Sequence, residues 1–393
     1  MKPTNLVFTG LETTIFETMS RLANEHGAVN LGQGFPDVDG PEDVRRVAAE
    51  AFISGPNQYP PMLGLPELRQ AVADTASRFY GLDVDWKSEV MVTSGATEAL
   101  ADCLLALMEP GDEVILIEPL YDCYLPMVRR TGGIPVRVRV TPPTWSLDLE
   151  ALEKAFTENT KAILINNPMN PAGKVFTEAE LARIAELCVE HDVFAICDEV
   201  YEHLLFDGVK HRPLMSFPGM RERTVRIGSA GKTFSFTGWK VGYVTGAAKL
   251  LDPIAKAHQY VTFTTPPGLQ KAVAYGLQKD DSYFTGLAAD LQAKRDFFAA
   301  GLSELGFGVL SCEGTYFLTC DVAPLGIKGT DVDICRRMVT EAGVAAVPVS
   351  AFYITDAPPN YVRFCFCKRD EVLSEALDRL RAWLLPMKAA SNG

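Results

Sequence analysis

Residues 162–201 read AILINNPMNPAGKVFTEAELARIAELCVEHDVFAICDEVY, and their organisation decides the fold. Ala162–Asn166 and Phe194–Cys197 are short apolar runs of strand length. Between them, Thr177–His191 carries apolar residues at helical spacing, with Thr177 as N-cap and Glu180 three residues on. Strand, helix, strand is the repeating unit of a parallel sheet. The alternation extends both ways. Upstream, Ala99–Met108 has helical composition, and a Pro110-Gly111-Asp112 turn leads into the apolar run Glu113–Glu118, followed by Pro135–Val140. Downstream, Thr224–Gly228 and Lys240–Val244 read as further strands. The chain is therefore expected to be α/β, with a mostly parallel sheet flanked by helices on both faces. In such sheets ligands bind beyond the carboxyl ends of the strands.

The last hundred or so residues read differently. A long helix around Tyr283–Leu305 precedes short strands near Thr315–Val322 and Tyr361–Cys367, with helical patterns at Asp331–Ala342 and Arg369–Leu385. This predicts a smaller α+β domain, joined by an amphipathic N-terminal helix at Thr13–Glu25. The expected division is a segment 1–45 joining the small domain, a large cofactor-binding domain 46–282, and a small domain 283–393.

Composition excludes several function classes. A net charge of −13 without a local basic patch opposes nucleic-acid binding. No apolar run is long enough to cross a membrane, and Met1–Gly10 lacks the pattern of a secretory signal, so a cytoplasmic address is expected. The nine cysteines are scattered and read as reduced, structural thiols, with the thiols of Cys365-Phe366-Cys367 expected on opposite sides. The five histidines do not fall near paired cysteines at ligand spacing, so no metal is expected.

Five segments carry candidate chemistry. In 227–243 (IGSAGKTFSFTGWKVGY), Lys232 follows a strand amid glycine and hydroxyl residues. An isolated lysine there is usually a solvated loop residue. Ser229 and Lys240 nearby supply a donor and a charge for a phosphate, and Lys232 beside them could form a Schiff base with an aldehyde. In 194–201 (FAICDEVY), the pair Asp198-Glu199 ends an apolar strand, where a carboxylate needs an N-cap role, a salt bridge or a cationic ligand such as a protonated pyridine nitrogen. Tyr201 can direct its hydroxyl towards the same ligand. In 165–174 (INNPMNPAGK), two X-Pro bonds and a glycine force a tight turn in which Asn170 is a candidate donor, or a plain turn residue. In 92–99 (VTSGATEA), a small-residue turn opening a helix suits phosphate, and the dinucleotide fingerprint G-x-G-x-x-G is missing. In 361–368 (YVRFCFCK), Arg363 sits inside an apolar strand and asks for a carboxylate partner, either internal or from a substrate.

Together these segments resemble the class I/II aminotransferases of the fold-type I pyridoxal-phosphate superfamily, from Leu31 through Arg363. The likeness is strongest to the kynurenine, glutamine and methionine aminotransferase branch, through LGQGFPD (31–37), NQYPPMLGLPELR (57–69), EPLYDCY (118–124), PVSAFY (348–353) and YVRFCFCK. The resemblance implies that Lys232 binds pyridoxal 5′-phosphate covalently, Asp198 pairs with the ring nitrogen, and Asn170 and Tyr201 bond the phenolic oxygen. It implies that Ala96, Thr97, Ser229 and Lys240 hold the phosphate, that Tyr121 stacks on the ring, and that Arg363 and Asn170 clamp the substrate carboxylate near Gly34. Tyr59 would reach the phosphate in a neighbouring subunit, making a homodimer with shared active sites. Met169, Ala172 and Lys240 stand where many relatives carry histidine, threonine and arginine; the last departure keeps the charge but loses the bidentate fork.

The implied activity is transfer of an amino group from an L-amino acid to a 2-oxo acid, with kynurenine- or glutamine-like donors implied by the resemblance; Tyr121–Tyr124 and Phe352-Tyr353 suggest aromatic or sulfur-containing donors, or equally ordinary packing around the cofactor. A cysteine-conjugate C–S β-lyase on the same scaffold is the alternative. A pyridoxal-phosphate-sensing transcription regulator would need a DNA-binding segment for which the sequence offers no room.

Overall fold

The computed structural model describes residues 2 and 4–391. Eight strands build the large sheet: β1 (Val90–Thr93), β2 (Glu113–Glu118), β3 (Ile134–Thr141), β4 (Ser146–Leu147), β5 (Thr160–Asn166), β6 (Phe194–Asp198), β7 (Thr224–Ser229) and β8 (Gly242–Gly246). Their spatial order is β1-β8-β7-β6-β5-β2-β3-β4. The run from β3 through β2, β5 and β6 to β7 is parallel. β8 runs antiparallel to both β7 and β1, and β4 antiparallel to β3. The reversal at β8 has a local cause. Residues 230–241, which hold only the helical turns Ala230–Thr233 and Thr237–Trp239, connect β7 to β8 without a helix long enough to cross the sheet face as a parallel crossover does.

Both faces of the central strands are apolar because both are covered. Along β2, Ile115 and Ile117 enter one core and Val114 and Leu116 the other, as alternation along a strand requires. One core takes Leu181, Ile184 and Leu187 from helix Glu178–Glu190, capped by the Thr177/Glu180 box that the sequence predicts. The opposite core takes Leu100 and Leu104 from helix Ala96–Leu107 and Leu250 and Ile254 from helix Ala248–Val261. No helix among the described residues is long and apolar enough to cross a membrane.

A second, antiparallel sheet has four strands: β9 (Gly308–Val309), β10 (Phe317–Asp321), β11 (Val347–Pro348) and β12 (Tyr361–Cys365), in the order β9-β10-β12-β11. Helices Asp281–Leu305 and Asp370–Ser391 pack on it through Phe298, Leu302, Leu373 and Leu380. The N-terminal helix Ile15–His26 contributes Met19 and Ala23 to the same core. The segment read as one helix over Asp331–Ala342 is α-helical to Arg337, then a π-turn over Met338–Ala342 that ends at Gly343.

One expectation fails. The thiols of Cys365 and Cys367 do not face opposite ways but lie 3.2 Å apart. Residues two apart along a strand share a face, and the Phe366 N–H carries the pairing one step past β12 by bonding the Tyr316 carbonyl, so both thiols stay on one side. All nine cysteines are free.

Candidate active site

Asn166, Asp198 and Ser229 end the adjacent parallel strands β5, β6 and β7, where the strand-end rule puts a ligand. They open on a pocket of about 660 Å³, also lined by Gly95, Ala96, Thr97, Tyr121, Tyr124, Asn170, Tyr201, Lys232 and Lys240. The sequence-predicted Ala96, Thr97, Tyr121, Asn170, Asp198, Tyr201, Ser229, Lys232 and Lys240 thus share one wall-to-wall site. A continuous cavity of about 710 Å³ adds Gly34, Phe35, Phe16, Phe317 and Arg363, and shares Tyr121, Asn170, Tyr201 and Lys232 with the first.

Lys232 lies in the one-turn helix after β7, and its Nζ donates to Tyr316 Oη at 2.9 Å. Tyr316 Oη in turn donates to the Gly34 carbonyl at 2.7 Å. Burial lowers the Lys232 pKa, because the low-dielectric site disfavours the ammonium form. Asp198 accepts from Tyr124 Oη at 2.6 Å and is 4% exposed. Burial raises its pKa to about 6, against the opposing bonds from Tyr124 and the Val200 N–H. Its neighbour Glu199 faces away, to Arg226 at 2.6 Å and His211 at 3.0 Å. Burial raises the Glu199 pKa, but these two partners outweigh it and hold the carboxyl at about 2. The acidic pair therefore splits into a structural ion pair and a pocket carboxyl.

The anion-facing end of the pocket is a turn. Gly95 has φ +86°, and a Cβ there would lie 3.1 Å from Lys240 Cε and 3.2 Å from its Nζ. The lysine amine thus lies over the turn that opens helix Ala96–Leu107. Free N–H groups of a helix start, a hydroxyl from Ser229 and an ammonium make a site for a dianion.

At the other end Arg363 is 1% exposed. Its Nη1 donates to Asn170 Oδ1 at 2.9 Å and its Nη2 to the Gly32 carbonyl at 2.6 Å, while Nε is unpartnered. The guanidinium lies over the Phe317 ring at 3.9 Å. Burial lowers its pKa to about 10. Of the two partners open in the sequence, an internal carboxylate is not what the structure provides. A Cβ on Gly34 would come within 2.6 Å of Phe317 Cζ, so glycine there keeps the cavity open beside the arginine.

Tyr59 is not in this pocket: it is 83% exposed and meets the edge of Phe263 at 5.4 Å. Two contributors escape the motif reading. Tyr124 stands in the quoted EPLYDCY stretch but receives no role of its own there, although its place three residues after Tyr121 is the available signal. Tyr316, one residue before β10, carries no sequence signal beyond being aromatic.

Fold and pocket together define a fold-type I pyridoxal-phosphate enzyme. Residues 26–380 match the family model "Aminotransferase class I and II". A probable N-succinyldiaminopimelate aminotransferase from Mycobacterium tuberculosis is 46% identical over 379 residues, 94% of this chain and 95% of that protein. A solved structure of N-succinyldiaminopimelate aminotransferase from that organism superposes with a TM-score of 0.94, covering 97% of this chain and 100% of that one, at 46% identity. Methionine aminotransferase of Escherichia coli is 40% identical over 94% of this chain and 96% of that protein. Kynurenine–oxoglutarate transaminase 3 of Rattus norvegicus is 38% identical over 95% of this chain and 89% of that protein. The chain belongs to the class I and II aminotransferases, and its cofactor is pyridoxal phosphate. The donor set fits that group: an amine on the pocket floor, a buried carboxyl, and an anion cradle at the far end.

Proposed function

We propose that this aminotransferase takes amino groups from L-amino acids with uncharged side chains, whether aromatic, sulfur-containing, or kynurenine- or glutamine-like, and passes them to 2-oxo acids. Arg363 carries the reading. It is a buried cation with a free Nε and no carboxylate partner among the described residues, set in a cavity walled by Phe16, Phe35, Tyr121 and Phe317. A substrate α-carboxylate would complete its bidentate fork. The relatives named for N-succinyldiaminopimelate, methionine and kynurenine differ in side chain. A succinyl side chain is anionic and asks for a second cation, whereas Lys232 and Arg363 are the cations lining this cavity and Asp122 adds negative charge to it. That balance favours the uncharged donors.

When bound, the cofactor supplies an aldehyde that takes up amines and a protonated ring that accepts the electron pair released at Cα. Lys232 holds the cofactor between turnovers and, as a free amine, takes the Cα proton. Burial lowers its pKa, which favours the free amine, and its bond to Tyr316 aims it. Asp198, steadied by Tyr124, holds a proton on the ring nitrogen. Asn170 and Tyr201 bond the phenolic oxygen; Ala96, Thr97, Ser229 and Lys240 grip the phosphate; Tyr121 covers the ring face.

The working unit in this reading is a homodimer whose Tyr59 completes the partner's phosphate site. Exposed apolar residues support it: Ile53 is 87%, Tyr260 84% and Val261 53% exposed, the last two close in sequence to Phe263, whose ring Tyr59 meets. In this reading residues 46–282 are the cofactor-binding domain, and residues 283–393, joined by 1–45, are the small domain. Nine free thiols suit the reducing cytoplasm.

The test is the visible absorption spectrum of the purified protein with a panel of amino acids and no acceptor. We expect a cofactor band that the Lys232→Ala variant lacks and that methionine, kynurenine, glutamine or aromatic donors convert to the amine form. Conversion by N-succinyldiaminopimelate alone would overturn the side-chain assignment. Release of pyruvate with the band unchanged would make the enzyme a β-lyase.

A further inference from the structure

Behind the anion-facing turn lies a buried cluster that no role above uses. His258, in the last turn of helix Ala248–Val261, is fully enclosed. Its Nε2 lies 3.1 Å from the Met62 carbonyl oxygen and its Nδ1 2.8 Å from Glu98 Oε1. A carbonyl only accepts, so Nε2 carries a hydrogen, and a carboxylate at Nδ1 calls for a second one. Asp102, one turn along the helix from Glu98, lies 3.7 Å from Nδ1, and neither of its oxygens has a hydrogen-bond partner among the described residues. Burial disfavours charge on the ring, but Glu98 and Asp102 outweigh it and raise the His258 pKa.

Glu98 passes the contact on. Its other oxygen, Oε2, accepts the backbone N–H of Ser94, the residue before Gly95. Ser94 Oγ also meets Thr265 Oγ1 at 3.0 Å. One buried imidazole ring therefore ties together the Ser94–Thr97 turn, the segment carrying Tyr59 and Met62, and the helix end that holds the exposed Tyr260 and Val261.

We infer that His258 is a positioning residue: through Glu98 it sets the Ser94–Thr97 turn for phosphate, and through Met62 it sets the segment that meets the partner subunit. The inference rests on the proposed reading of that turn as the phosphate site.

Two conservative variants separate the arms. In His258→Asn the side-chain amide falls near the Nδ1 position and keeps the link to Glu98. In His258→Gln it falls near Nε2 and keeps the link to Met62. The readouts are binding of inorganic phosphate and of phosphate-free pyridoxal to the full-length apoprotein by calorimetry, and dimer dissociation by sedimentation. Loss of a charge-assisted hydrogen bond predicts that His258→Gln weakens phosphate by roughly tenfold or more, with pyridoxal unchanged. His258→Asn should bind phosphate as wild type does but dissociate at higher protein concentration. Glu98→Gln should repeat the phosphate-specific loss, which keeps the inference testable if His258→Gln does not fold. Wild-type phosphate affinity in both His258→Gln and Glu98→Gln, or an equal loss of phosphate and pyridoxal, overturns it. Lys240→Ala is the control. If that variant binds phosphate normally, the phosphate reading fails and the inference with it. If it loses phosphate while His258→Gln does not, the inference fails alone.

Discussion

At the scale of single residues, the pocket works by leaving buried charges incompletely satisfied. Arg363 keeps one free Nε in a nearly dry site, so a carboxylate entering there meets little competition from water. Lysine would keep the charge but lose the planar fork and the stack on Phe317. Arg363→Lys should therefore raise KM by roughly tenfold to a hundredfold for every amino donor alike, with kcat less affected, in steady-state kinetics across the panel. Asp198 is the matching case on the cofactor side. Its carboxyl is lifted from 3.8 to about 6, so from about pH 4 to 6 the unfolded chain releases the proton before the folded one does. Apoprotein stability should fall as pH rises through that window, by on the order of 3 kcal/mol, and be flat for this group below it. Urea unfolding of the apoprotein and of Asp198→Asn should show the excess slope only in the former. Lys232, Asp198 and Arg363 were legible in the sequence because a charge in apolar or glycine-rich company demands a reason. Tyr124 and Tyr316 were not, because a buried tyrosine reads as packing until the partner of its hydroxyl is known.

At the scale of elements, each functional side chain sits where a regular element ends. β5, β6 and β7 deliver Asn166, Asp198 and Ser229, and the short β7–β8 connection delivers Lys232. Apolar runs and the Thr177 capping box made most strands and helix Glu178–Glu190 readable to within a residue or two. Strand direction was not readable at β8, since it depends on what the connection spans rather than on local composition. The turn at Gly95 is the sharpest case of an element end under constraint. Alanine there must adopt φ +86° and press on Lys240, whose amine lies over the turn. Gly95→Ala should raise the cofactor dissociation constant by about tenfold or more while leaving the far-UV circular dichroism unchanged. Equilibrium dialysis of the reconstituted protein checks this.

At the scale of the whole molecule, the two sheets meet across the cavity: Lys232, in the turn after β7, bonds Tyr316 beside the small sheet, and Arg363 of the small sheet bonds Asn170 in the loop after β5. The site is thus assembled by tertiary contacts between residues 84 and 193 positions apart in the chain, which periodicity in a sequence cannot reveal. One predicted residue, Tyr59, lies outside this assembly at 83% exposure, beside the apolar patch. If it serves the partner's pocket, defects at Tyr59 and at Lys232 fall in different active sites of a mixed dimer. Tyr59→Ala homodimers should be weak at limiting cofactor, and Lys232→Ala homodimers inactive. Unfolding and refolding the two together in equal amounts should form hybrids in which one site carries both defects and the other carries neither. About a quarter of the wild-type rate should return if symmetric pairing is random. A mixture that regains nothing, although co-purification through an affinity tag on one variant shows hybrids, would place Tyr59 in service of its own chain and leave the exposed patch without this explanation.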